Sequence, residues 1–229
     1  MTKRYVFLVS ALIFIILLSN VSLLNNNEQI VLAEGDVLIA SDKSIKPIDS
    51  ENLVNEKDTS DVQSLVWKQI EEDALRMVED SEGRFKKSWA IYMIKEARTY
   101  GIDPFIVYEL LKVETGHTFS PDTVGPETIY GYAYGMAQFM ENTAPWIAEM
   151  AGLDYEKSML FDPYYSMKLS VVYLDYLYDK YQRWDEALTA YHRGMTGMEN
   201  YKRVNGNARS QYATIIQNKA KQHDAVAMN

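Results

Sequence analysis

The chain has 229 residues, of which 47% are hydrophobic, and a formal net charge of -9. This length and composition predict one medium-sized domain with its own core and additional terminal segments. The acidic balance, without a clustered stripe of Lys and Arg, argues against a nucleic-acid-binding protein, because binding to phosphates depends on such clusters. The absence of cysteine excludes disulfides and thiolate sites. His117, His192 and His223 are too dispersed to predict a metal site.

The N-terminal segment predicts export. Lys3 and Arg4 precede an apolar run, Tyr5 to Leu18, that suits the core of a signal peptide and is shorter than the roughly 20 residues that span a bilayer. A small-residue cleavage site ends at Ala33, so residues 1–33 are predicted to be a signal peptide. The alternative is an uncleaved anchor, which would associate the protein with the membrane. In both cases we expect the protein to be secreted or to lie on the outer face of the cytoplasmic membrane.

The rest of the chain divides into a linker and a helical domain. Residues 34–60 are polar and weakly periodic, which predicts a flexible linker. The pattern of residues 61–229 has the helical period with almost no strand alternation, which predicts an all-α domain. Helices are predicted over 61–79, 85–100, 103–115, 136–150, 162–182, 184–193 and 207–222, with a short one near 197–203.

Local signals support several of these boundaries. Asp103 and Asp162 each precede a proline, which is typical of an N-cap followed by the first helical position. Between the helices, residues 116–135 form a long irregular segment. Structureless connections of that length in compact domains are usually binding loops or lids, so this segment is predicted to be functional.

Glu114 occupies an unusual position at the end of the predicted third helix. It continues the helical stripe of Val107 and Leu111, so its side chain is expected to face the interior or a cleft. Burial and the negative end of the helix dipole both disfavour the carboxylate anion and should raise its pKa. A carboxyl that is protonated near neutral pH can act as a general acid. The alternative is that Glu114 turns into solvent and pairs with Lys112 or His117.

Short motifs follow one another along this domain. They are Glu114-Thr115 with Phe119-Ser120-Pro121, then Gly135-Met136-Ala137-Gln138 with Asn142-Thr143-Ala144, and finally Ala190-Tyr191-His192 with Tyr173-Leu174 ahead of it. In this order they resemble the catalytic domain of the soluble lytic transglycosylase family, which is related to goose-type lysozymes. The resemblance covers roughly residues 85–216 and implies a lysozyme-like helical fold with an active-site cleft.

The resemblance also implies a reaction, the cleavage in peptidoglycan of the β-1,4 bond between N-acetylmuramic acid and N-acetylglucosamine. Glu114 would protonate the leaving oxygen and then take the proton of the sugar's own 6-hydroxyl, giving a 1,6-anhydro end. One acid suffices for this, whereas ordinary glycosidases use two carboxylates. Asp122, Glu127 and Glu141 are candidates for a second carboxylate, and if one faces Glu114 a lysozyme-type muramidase is the better description. No metal or organic cofactor is implied.

A hypothesis of a different class is a non-catalytic peptidoglycan-binding module on the same scaffold, tethered to a machine of the cell envelope. The position of Glu114 argues against it, because a pure binder gains nothing from the desolvation cost of a buried carboxylate.

The resemblance further implies residues that contact the glycan strand. Gln138 can donate to and accept from sugar groups, and its alternative role is to bond the local backbone. Tyr191 resembles a tyrosine whose hydroxyl reaches the catalytic acid, and its alternative is a core tyrosine. Thr115 replaces the usual serine, and Met136 lies in the same motif as Gln138. His192 stands where asparagine is typical, so contact there is expected to be altered or sensitive to pH.

Two groups of tyrosines are expected to have different roles. The alternating tyrosines of the long loop either stack on sugar rings or pin the loop to the core, and they are Tyr130, Tyr132 and Tyr134. A stripe in the predicted helix 162–182 is expected to serve for packing and helix surface, with a binding platform as the alternative, and it consists of Tyr173, Tyr176, Tyr178 and Tyr181.

Overall fold

A computed structural model of the protein describes residues 56–227, with side chains described for residues 61–223. The predicted signal peptide or anchor, residues 1–33, and most of the predicted linker, residues 34–60, lie outside the described residues. Among residues 56–227, no helix is both long and apolar enough to cross a bilayer. Helices make up most of the described part, so the prediction of an all-α fold is confirmed apart from one small hairpin.

The helices have these bounds: α1 Glu56–Asp80, α2 Lys87–Thr99, α3 Pro104–Glu114, α4 Ala144–Met150, α5 Pro163–Tyr181, α6 Trp184–Arg193, α7 Met195–Asn205 and α8 Gln211–Ala227. A short 3-10 helix, Lys157–Phe161, precedes α5. The hairpin consists of β1, Ala133–Tyr134, and β2, Phe139–Met140, which pair in antiparallel register.

Both predicted N-caps are confirmed. The Asp103 carboxylate accepts a hydrogen bond from Phe105 N at the start of α3, and the Asp162 carboxylate accepts one from Tyr165 N at the start of α5. In each case a proline occupies the first turn, where no backbone N–H is needed.

Helix α3 lies at the centre of the domain. Its residues from Phe105 to Leu111 are all buried, and it packs against α2 and α8. A helix covered on all sides belongs to the core, and its position is therefore rigid. The helix leaves the core over its last three residues, which are only partly buried and end at Glu114. The fold thus presents one carboxyl group at the end of a fixed support.

The predicted helix 136–150 is wrong over its first half. Residues 135–138 form the tight turn between β1 and β2. Gly135 and Gln138 have φ values of 73° and 51°, which a right-handed helix does not contain. Gly135 also lies so close to the backbone of Leu160 that a Cβ would come within 1.8 Å of its carbonyl oxygen. The apolar residues of this segment fit a helical period, but they are buried by the hairpin.

Candidate active site

Glu114 forms a hydrogen bond with a tyrosine that comes 98 residues later in the chain. The Tyr212 hydroxyl donates to Glu114 Oε1 at 2.5 Å. Burial raises the pKa of Glu114 to about 7, and the hydrogen bond from Tyr212 acts in the opposite direction. A large share of this carboxyl is therefore protonated near neutral pH, which is the state that a general acid requires.

A second acid on α3 has different partners. Glu109 is only 2% exposed, and its Oε1 lies 2.8 Å from His223 Nε2 and 3.6 Å from Lys112 Nζ. Lys112 Nζ also donates to Asp80 at 2.6 Å. Lys112 is therefore engaged with these two acids and not with Glu114. Because Glu109 faces basic groups and Glu114 faces a hydroxyl, Glu114 is the acid that is suited to hold and release a proton.

Within the part of the chain that the structure describes, one group of side chains has the spacing of metal ligands. Ligand atoms of Asp80, Glu109 and His223 all lie within 4.8 Å of one another. The sequence did not indicate this group because its members come from α1, α3 and α8. The ammonium group of Lys112 already forms ion pairs with both carboxylates. We therefore interpret Asp80, Glu109 and His223 as part of an ion-paired network that joins three helices.

Tyr212 also contacts His192. The two rings lie parallel, with an interplanar angle of 7° and centroids 4.6 Å apart. His192 lies in the last turn of α6 and is exposed on its other side. Burial, and then the charge of Arg193, lower its pKa below the usual value for histidine. His192 therefore reaches Glu114 only through Tyr212.

Sequence reasoning missed Tyr212, although a signal for it exists. Tyr212, Ile216 and Ala220 recur every four residues on α8, and all are buried. A tyrosine on a buried stripe needs a partner for its hydroxyl. That rule marks Tyr212 as a residue with a polar contact in the interior, but it does not say that the contact is Glu114.

Tyr191 lies beside the acid but bonds elsewhere. Its hydroxyl donates to Ala137 O at 3.0 Å, which ties α6 to the hairpin turn. The predicted hydrogen bond to the acid belongs to Tyr212 instead. The charge of Glu114 still acts on Tyr191. Burial, and then this charge, raise the pKa of Tyr191 well above the usual value for tyrosine.

Most of the helical domain matches the model of one protein family. The model of the transglycosylase SLT domain matches residues 91–214, which is more than half of the chain. The chain belongs to the transglycosylase SLT family. No curated protein matches the chain. Family membership confirms the lysozyme-like fold and indicates action on peptidoglycan at the level of the family. Glu114, Tyr191 and Tyr212 all lie inside the SLT domain.

In this SLT domain Gln138 holds the long loop to the hairpin. Its Nε2 donates to Thr123 O at 3.2 Å and to Gly135 O at 2.8 Å. Both partners are carbonyl oxygens, so the amide nitrogen must face them. The oxygen Oε1 faces Gly125, where a Cβ would lie only 2.6 Å away. The structure therefore shows the backbone-bonding role that was the alternative for Gln138.

Thr115 and Met136 are both buried. The Thr115 hydroxyl donates to Leu111 O at 2.8 Å and accepts a hydrogen bond from Phe119 N at 3.0 Å, which closes the end of α3 onto the loop. The Met136 side chain has no exposed surface. The structure shows both side chains packed, and their predicted substrate contact stays a prediction.

The loop tyrosines divide into two kinds. Tyr134 is almost buried, with Phe161 at its edge and Lys157 Nζ 4.3 Å from its ring centroid, so it pins the loop to the core. Tyr130 and Tyr132 are 69% and 40% exposed. Tyr134 thus has the packing role, and stacking of sugar rings on the exposed Tyr130 and Tyr132 stays a prediction.

The three candidates for a second carboxylate are exposed. One of them, Glu141, forms an ion pair with Lys157 at 2.6 Å. Burial raises the pKa of Glu114, the Tyr212 hydrogen bond opposes that rise, and neither effect involves another carboxylate. Asp122 and Glu127 therefore do not act on Glu114 in this structure.

Proposed function

We propose that the protein is a peptidoglycan lytic transglycosylase that cleaves the β-1,4 bond between N-acetylmuramic acid and N-acetylglucosamine and leaves a 1,6-anhydro end. The observation that carries this proposal is the state of Glu114, a partly buried carboxyl with a pKa of about 7 and a tyrosine hydroxyl as its partner. Membership of the SLT family supports the same substrate.

The proposed reaction needs one acid that acts twice. Protonated Glu114 gives its proton to the glycosidic oxygen as the bond from that oxygen to C1 of the muramic acid breaks. The 6-hydroxyl oxygen of the same sugar then bonds to C1, and its proton returns to the Glu114 carboxylate. The acid is regenerated and no water is consumed. A pKa near the working pH suits both halves of this cycle, because neither proton transfer is strongly uphill.

Among the residues that the structure describes, no second carboxylate shifts the pKa of Glu114, which supports this route over hydrolysis. Hydrolysing glycosidases place a second carboxylate across the scissile bond, as a nucleophile or as a base for water. Tyr212 and Tyr191 instead place phenol groups beside Glu114. The proposal includes export through the N-terminal segment, because peptidoglycan lies outside the cytoplasmic membrane.

Product analysis tests the proposal. Purified peptidoglycan is digested with the full 229-residue chain in water enriched in heavy oxygen, and the fragments are examined by mass spectrometry. We expect anhydro ends without incorporated label. Labelled reducing ends would identify a muramidase, and an absence of soluble fragments would identify a binding module.

Matched variants complete the test. Glu114→Gln should abolish cleavage while the protein stays folded, and Glu199→Gln, which neutralises an exposed acid on α7, should retain it. Asp122→Asn, Glu127→Gln and Glu141→Gln should each keep the anhydro product. Loss of product in any one of these three would reveal a second essential carboxylate.

A further inference from the structure

A continuous series of aromatic rings leads from the acid to the protein surface. It starts at Tyr191, whose pKa is raised partly by the charge of Glu114. The ring centroids of Tyr173 and Tyr191 lie 5.3 Å apart, and those of Trp146 and Tyr173 lie 6.0 Å apart. Tyr176 completes the series, with its ring 5.0 Å from Trp146. Only two ring contacts therefore separate Trp146 from a residue beside Glu114.

The outer end of this series is both exposed and fixed. Trp146 on α4 is 37% exposed, whereas Tyr173 is buried beneath it. Tyr173 and Tyr176 lie parallel to within 9°, and Trp146 stands at 82° and 89° to them. Edge-to-face contacts with two rings hold the indole in one orientation. A side chain that is already ordered loses little conformational entropy when a ligand binds to it.

Tyr176 adds a polar group at the same place. Its hydroxyl donates to the Met195 sulfur at 4.0 Å, and a thioether is a weak acceptor. A sugar hydroxyl would be a stronger partner for this donor. The sequence favoured packing and helix surface over a binding platform for the tyrosines of α5. Tyr173 is buried and packs, but Tyr176 is partly exposed next to an exposed tryptophan.

We infer that Trp146 and Tyr176, supported by Tyr173, form a platform that binds a sugar ring of the glycan strand at a position removed from the scissile bond. A pyranose ring has a face of C–H groups, and the negative π face of an indole attracts such groups while the contact removes apolar surface from water. A linear polymer that passes Glu114 extends along the surface beside it, and the contacts through Tyr173 place the exposed Trp146 two ring contacts from Tyr191. The inference rests on the proposed function for the identity of the polymer.

Binding without cleavage tests the platform. The full chain with Glu114→Gln is titrated calorimetrically with peptidoglycan-derived oligosaccharides of alternating N-acetylglucosamine and N-acetylmuramic acid, in a series of increasing length. Adding Trp146→Ala should weaken binding of the longest fragment about tenfold, the scale of one lost aromatic contact. The shortest fragment should bind with unchanged affinity, because it fills only the positions beside Glu114. Tyr176→Ala should weaken binding of the long fragment by a smaller factor.

The matched control is Trp67→Ala, which removes a 46% exposed tryptophan from α1 and should leave every affinity unchanged. Trp146→Phe keeps an aromatic face and should retain most of the affinity, and Tyr176→Ala decides the question if the alanine variant of Trp146 does not fold. Equal affinities of Trp146→Ala, Trp146→Phe and the parent for the long fragment, or no binding of any fragment by the parent, would overturn the platform.

Product analysis is independent of these titrations. Hydrolysed ends would reject the transglycosylase alone, and unchanged long-fragment binding alongside anhydro ends would reject the platform alone.

Discussion

Tyr212 and Glu114 join the last helix of the domain to the helix that carries the acid, through a hydrogen bond of 2.5 Å. The same two helices meet a second time where His223 contacts Glu109 at 2.8 Å. Each acid of α3 therefore has a partner on α8. Helix α8 is a wall of the candidate active site, and its position affects the protonation of Glu114.

The first prediction concerns the hydroxyl of Tyr212. Tyr212→Phe keeps the ring that stacks on His192 and removes the hydrogen bond that lowers the pKa of Glu114. That pKa should rise further, so the activity limb at high pH should move to higher pH. The maximal rate should fall about tenfold or more, because a hydrogen bond to a charged group contributes roughly 1.5–3 kcal/mol. The measurement is kcat against pH on purified peptidoglycan.

Tyr201→Phe is the control for this prediction. The Tyr201 hydroxyl contacts Arg209 O at 3.4 Å, away from the acid, and its removal should leave the profile unchanged. If Tyr212→Phe also leaves both the rate and the profile unchanged, the Tyr212 hydroxyl has no part in setting the state of Glu114.

The second prediction is a change of stability with pH. The folded protein raises the pKa of Glu114 from 4.5 to about 7, so it binds this proton more tightly than the unfolded chain does. The stability that the protonated carboxyl contributes is complete below about pH 4.5 and is lost as the pH rises through about 7. The parent loses this contribution across this range, and Glu114→Gln does not. The free energy of unfolding of Glu114→Gln, relative to that of the parent, should therefore increase by on the order of 3 kcal/mol.

Denaturant unfolding at several pH values measures this difference. Glu199→Gln on the surface of α7 gives the effect of removing one negative charge alone. A difference between Glu114→Gln and the parent that stays constant from acid to neutral pH would show that Glu114 ionises as readily in the folded state as in the unfolded chain.

The sequence predicted those features that depend on neighbours within one or two helical turns. The N-caps Asp103 and Asp162 act on residues two and three positions away, so their pattern is local. The inward position of Glu114 follows from its spacing to Val107 and Leu111 on one helix, and both of these are buried.

Contacts between distant segments could not be predicted from such local patterns. The hairpin depends on the close approach of Gly135 to the backbone of Leu160, which a hydrophobic period does not reveal. The partner of Glu114 lies 98 residues away, and the resemblance assigned that contact to Tyr191. Both tyrosines lie near the acid, but only the fold determines which hydroxyl points to it.

The third prediction concerns His192. Burial and then the charge of Arg193 lower its pKa, so His192 is neutral at neutral pH and becomes charged at more acid pH. A protonated imidazole stacked on Tyr212 would favour the anionic form of Glu114, lower its pKa and leave a smaller fraction of the carboxyl protonated. His192→Asn should therefore retain more of its neutral-pH activity at about pH 5 than the parent does.

The ratio of the rates at the two pH values checks this prediction, and His117→Asn, at an exposed position after α3, is the control. An identical ratio in the parent and in His192→Asn would mean that His192 is not a titrating group of the site.

The fourth prediction separates a clash from backbone strain at the hairpin. Gly135 and Gly131 both have positive φ, at 73° and 97°, so an alanine is strained at either position. A Cβ at Gly135 would also lie 1.8 Å from Leu160 O, whereas a Cβ at Gly131 meets nothing within 4 Å. Gly131→Ala should cost about 1–2 kcal/mol of unfolding free energy, and Gly135→Ala should cost more than about 4 kcal/mol because backbone must move. Similar costs for the two variants, measured by thermal and denaturant unfolding, would contradict the close approach of the hairpin to the 3-10 helix.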